Sequence, residues 1–180
     1  MKQFLTFLIA ATTLLLPLSA QEKPKTPATL KSVLLEQLKG SHNAKNWFVD
    51  GNTAMAGLTA EQASWKDGKG NHSVGQLTYH LVFWNRRVLE QIKGETSAKF
   101  SGNNEETFDK FDSAQWATLV QQYDQIMTEF EKIVEAADDK KLGDLAPTVA
   151  NICAHNAYHI GEIVVVRKEQ GVWNPEKGVK

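Results

Sequence analysis

The 180-residue chain sets 20 Lys and Arg against 21 Asp and Glu, a formal net charge of −1, and so presents no basic footprint for nucleic acid. Its single cysteine, Cys153, excludes an intrachain disulfide, which leaves stability to the core. The length suits one compact domain better than two.

The first twenty residues read as an address. Lys2 supplies a positive start, Phe4 to Leu16 is almost wholly apolar, Pro17 breaks the run, and Leu18-Ser19-Ala20 ends on a small residue suited to signal peptidase. The apolar run is short for a transmembrane helix. The expectation is a signal peptide over residues 1–20, cleavage near Ala20/Gln21, and export to a periplasm or the medium. No cysteine follows that site to carry a lipid, so no stable membrane anchor is expected after cleavage. Residues 21–27 are polar with two prolines and suit a flexible leader, ahead of a domain over 28–174 and a tail over 175–180.

From about Ala28, the apolar positions Leu30, Val33, Leu34 and Leu38, then Trp47, Phe48 and Met55, predict a long helical segment that Gly40 and Gly51 threaten to interrupt. Residues 58–71 read as a loop. Ser73 and Gln76 form a capping-box signature for a second helix that runs to about Lys93 and stops at Gly94, with Leu77, His80, Leu81, Trp84 and Val88 on its inner face. The polar stretch 95–111 predicts a long loop able to cover one end of the fold. Asp112 or Ser113 can cap a third helix, whose stripe from Trp116 to Val134 carries no ligand residue and serves packing. Residues 138–147 read as a break, and a fourth helix is expected from Thr148 to Gln170, closed by Gly171 and Pro175. No segment alternates with period two. The fold class is therefore all-α, an antiparallel four-helix bundle in which the second and fourth helices run parallel and face each other across the core.

His155 and His159 lie four apart on one helical face, flanked by Ile152, Ile163 and Val166. Two adjacent buried imidazoles are hard to satisfy with one hydrogen bond each, whereas a divalent metal uses both. A third ligand has to come from another helix. His80 points inward, and its spacing suits a ligand as well as a core histidine bonded to a backbone carbonyl. Glu162 returns to the face of the pair as a candidate catalytic base, a supporting acceptor or a fourth ligand, or else as a carboxylate reaching solvent. His42 and His72 are expected outside the site, and Cys153 on the opposite side of its helix. Arg87 and Arg167 read as surface or ion-pair residues, Trp84 and Tyr158 as core aromatics.

The segment Ser73-Val-Gly-Gln-Leu-Thr-Tyr-His80-Leu-Val-Phe-Trp-Asn85, with His155-Asn-Ala-Tyr-His159-Ile-Gly161-Glu162-Ile-Val-Val-Val-Arg167 and then Gly171 and Trp173, resembles the DinB/YfiT-like superfamily of four-helix metal proteins. The resemblance implies that His80 joins His155 and His159 to bind a divalent metal, with zinc, nickel and iron all suited to such nitrogen donors. Many relatives carry glutamine where this chain has Glu162, which adds a charge beside the ion. Relatives include thiol-dependent transferases and isomerases, although export favours hydrolysis over thiol transfer. The expected function is an exported metal-dependent hydrolase or transferase acting on a small molecule, in a monomer or a homodimer. The competing expectation is a non-catalytic envelope protein that binds metal or small molecules.

Overall fold

The computed structural model describes residues 27–96 and 99–178; the expected signal peptide and leader residues 21–26 lie outside them. Among the described residues there are seven α-helices and no strand: α1 (Leu30–His42), α2 (Gly51–Met55), α3 (Ala60–Ser64), α4 (Val74–Lys93), α5 (Glu106–Asp109), α6 (Trp116–Ala136) and α7 (Asp139–Glu169). The all-α expectation holds, and α1, α4, α6 and α7 form the bundle. No described helix is long and apolar enough to cross a membrane.

Local side-chain chemistry sets most of the helix ends. Ser73 Oγ accepts from Gln76 N at 3.2 Å while Gln76 Oε1 accepts from Ser73 N at 3.1 Å, the reciprocal pair foreseen for α4. Gly94 ends that helix at φ 75°. At the end of α7, Val172 N donates to Arg167 O and Gly171 N to Lys168 O, both at 3.0 Å, with Gly171 at φ 77°.

Four stretches differ from the sequence reading. The long first helix breaks after His42 and resumes at Gly51, because Asp50 caps α2 by accepting from Thr53 N at 2.8 Å. Gly51 is packed under Tyr123 so closely that a Cβ would lie 2.5 Å from its ring. Residues 58–71 hold α3, started by a Thr59–Gln62 capping box. Residues 95–111 hold α5. The expected break at 138–147 is helical instead: Asp138 caps α7, and the helix runs through Pro147. Proline there removes one hydrogen bond, but Leu142, Leu145 and Val149 are buried on either side, so packing holds the helix across the gap.

Chain direction decides what can meet at the site. Lys31 Nζ donates to Glu135 O at 2.7 Å and Tyr123 OH to Ser41 O at 2.8 Å, so α1 and α6 run antiparallel. His80 meets His159 at 4.7 Å between ring centroids, and Asn85 Nδ2 donates to Asn156 Oδ1 at 2.9 Å, so α4 and α7 are antiparallel neighbours rather than parallel partners across the core. Phe111, just ahead of α6, lies against Gly75, while Lys93 pairs with Glu129 at 3.1 Å; α4 and α6 therefore run the same way. Two parallel neighbours about 30 Å long need a return strand of chain between them. Residues 94–115 make that return and lay α5 along α4.

Two residues read as peripheral are structural. Arg167 is buried: its Nη1 donates to Ala54 O at 2.5 Å and Ala56 O at 3.1 Å, and the guanidinium lies over Trp173 at 5.2 Å. It ties the end of α2 to the end of α7. His42 is buried at the α1–α6 seam, with Nδ1 2.6 Å from Glu131 Oε1 and Nε2 2.9 Å from Asp124 Oδ1. Arg87 lies over Phe83 at 5.5 Å, as a surface residue would.

α6 supplies none of the clustered histidines, and Phe130 is 1% exposed within it. Phe130→Ala should lower the unfolding free energy by about 3 to 5 kcal/mol, read from the shift of a urea unfolding curve. A change below about 1 kcal/mol would show that the ring does not fill the core.

Candidate metal centre

The antiparallel packing of α4 on α7 brings His80, His155 and His159 together, each offering a ring nitrogen, with all three nitrogens within 4.8 Å of one another. His80 and His159 are buried and His155 is half-buried. The family resemblance groups these three residues, spacing alone places only the pair on α7, and the structure brings all three together.

Hydrogen bonds settle which nitrogens face inward. Thr107 Oγ1 donates its proton to Asn104 O at 2.6 Å, so toward His80 Nδ1, 2.5 Å away, it acts as acceptor. His80 is therefore protonated on Nδ1 and carries its lone pair on Nε2. His159 Nδ1 lies 2.6 Å from Glu162 Oε2 and donates to it, which leaves Nε2 of His159 to coordinate. His80 Nε2 and His155 Nε2 are 3.1 Å apart. Two nitrogen ligands about 2.0 to 2.1 Å from one ion in tetrahedral geometry stand about 3.3 Å apart, so this pair has the spacing that one divalent cation requires, with the third nitrogen within 4.8 Å. Orienting partners of this kind, a hydroxyl on one imidazole and a carboxylate on another, are what metal-binding histidines require.

Burial keeps the three imidazoles neutral. Desolvation, with His159 and His155 adding repulsion, lowers the His80 pKa from 6.5 to about 3. Desolvation followed by His159 lowers that of His155 from 6.5 to about 4. His159 is also lowered by burial, against the opposing pull of the Glu162 carboxylate. At neutral pH all three can present lone pairs without first losing a proton.

The cluster forms one wall of a cavity of about 690 Å³. Glu162 lines this cavity, half-buried, with its carboxylate bonded to His159 Nδ1 as a supporting acceptor would be. Three aromatic or imidazole residues differ from expectation. Tyr158 is 65% exposed at the rim instead of in the core, and Trp84, half-buried, lines the same cavity. His72 is not simply solvated: it stacks on Phe108 at 3.9 Å, and Phe108 stacks on His80 at 4.0 Å. Phe108 thus sits between two imidazoles and covers one face of His80. Thr107 and Phe108 were missed because their segment has neither helical periodicity nor a spacing motif; the polar run expected to cover one end of the fold was the only signal. Cys153 is buried away from the cavity, where desolvation raises its thiol pKa to about 11.

No curated protein and no solved structure matches the chain. A family model described as the DinB superfamily does match, over residues 52–163. That range takes in α4, the covering segment, α6, all three histidines and Glu162. The match spans more than half of the sequence, and the chain belongs to the DinB superfamily.

Proposed function

We propose that the protein is an exported metal-dependent enzyme, a hydrolase or thiol-dependent transferase of a small-molecule substrate, in which His80, His155 and His159 hold one divalent cation. The observation that carries the reading is the pair of oriented imidazoles, His80 through Thr107 and His159 through Glu162, converging with His155 at the wall of a cavity of ligand size. Export rests on the apolar Phe4–Leu16 run and Ala20. Zinc, nickel and iron suit three imidazoles equally.

A divalent ion held by His80, His155 and His159 would supply Lewis acidity, for a carbonyl or for a thiol or water. The protein's own groups do the rest. Glu162 holds the Nδ1 proton of His159 and so strengthens the donor character of Nε2. Glu162 also lines the cavity, where a carboxylate can take a proton from a nucleophile. Phe108 and Trp84 keep water from part of the wall.

His80→Ala, His155→Ala and His159→Ala should each lose bound metal by elemental analysis, whereas the folded fraction of His42→Ala should keep it. Stoichiometric metal retained in all three would end the assignment. Metal that raises the melting temperature without supporting turnover of ester, amide or thiol-transfer substrates would instead favour a binding protein.

Glu162→Gln preserves shape and removes charge. It should retain metal with an affinity reduced by about 10- to 100-fold, measured by competition with a chelator. Complete loss would make Glu162 a ligand.

The metal-free protein should also report the burial of its imidazoles. Their folded pKa values lie below 6.5, so as pH falls the unfolded chain binds protons first. Stability of chelator-treated protein is therefore full above pH 6.5 and falls from there toward pH 4 and below. Urea midpoints measured across this range should fall less in His155→Asn than in the wild type; equal slopes would show that His155 is not desolvated.

A further inference from the structure

A second cavity, of about 530 Å³, lies on the outer side of the metal pocket, and the two share His72 and Glu162 as a common wall. Its remaining lining includes Leu77, Val165 and Val166, with Glu169 at one side and Gly161 on α7. Gly161 is the informative residue. It sits in the interior of a long helix, where glycine is less favourable than alanine. Yet a Cβ built on it meets nothing within 4 Å, so no neighbouring atom requires its absence. Nor does the backbone there take a positive φ. What a side chain at 161 would occupy is the second cavity.

Charge gives the chemistry of the occupant. Among the described residues, those lining the two cavities include Glu105, Glu162 and Glu169 and no lysine or arginine. Glu162 and Glu169 are seven apart, two turns along one face of α7. A phosphate or carboxylate tail would meet carboxylates of like charge there, while an ammonium group would meet carboxylates beside an aliphatic wall.

Resting on the metal-enzyme reading above, we infer that the second cavity is the tail subsite of the metal pocket, that it takes an elongated aliphatic substrate ending in an amine, and that Gly161 keeps it open. The head of such a molecule lies at the histidines. Its chain passes the His72–Glu162 wall, and its ammonium group reaches Glu169.

The test uses zinc-loaded protein and three chelating probes, acetohydroxamate, hexanohydroxamate and 6-aminohexanohydroxamate, with affinities measured calorimetrically. Hexanohydroxamate should bind about tenfold more tightly than acetohydroxamate through its buried methylenes, and the amine-tailed probe tighter still. Gly161→Leu should fold at least as stably as wild type and reduce both long probes to the affinity of acetohydroxamate, with Gly161→Ala intermediate. Glu169→Gln should remove only the advantage of the amine. Equal zinc-dependent affinities for all three probes, or a length gain that survives Gly161→Leu, overturn the subsite and leave the metal reading intact. Acetohydroxamate binding that is the same with and without zinc overturns both.

Discussion

Burial of three imidazoles within reach of one another sets the terms for the rest of this molecule, because a desolvated imidazole is stable only as the neutral base and each needs a partner for its N–H. The chain meets that need from two sides. A hydroxyl on the covering segment accepts the hydrogen bond from Nδ1–H of His80, and a carboxylate one turn along α7 accepts that of His159. His80 would not reach His155 and His159 if α4 and α7 were displaced by a turn. The register of those two helices, the course of the 94–115 connection and the position of Glu162 are thus parts of one arrangement.

That arrangement also explains the parallel run of α4 and α6. A shorter link between antiparallel helices would be simpler to build, but it would leave the open side of His80 to solvent. The return of the chain along the bundle places Thr107 beneath the ring and Phe108 against its face. Connectivity here serves the site.

Much of this was legible in the residues. The caps of α4, its stop at Gly94, the apolar stripe of α6 and the closure at Gly171 are local signals, satisfied within a few residues, and they reappear in the structure. The i, i+4 pair on α7 is likewise local. Pro147 misled because its local cost is outweighed by burial of Leu142, Leu145 and Val149, which only the tertiary fold reveals. Tyr158 falls beside the histidines on the wheel but at the cavity rim in space. The bond from His80 to Thr107 spans 27 residues of sequence, through a segment without period, and no pattern in the chain announces it. Arg167 was misplaced for the same reason, since the carbonyls that take its charge lie 111 and 113 residues away.

The ring order of the bundle has a kinetic consequence. α6 and α7 are joined by only two residues yet stand diagonally, while α1 packs on α6 and α7, and α4 on the same two. The helices nearest in sequence therefore gain little from each other as they emerge. The contacts that do hold, such as Tyr123 with Ser41 across 82 residues, close large loops whose entropy is spent before any packing is gained. This bundle should fold more slowly than an up-and-down bundle of equal length. Its first helix stays unpartnered on one side until the last is made.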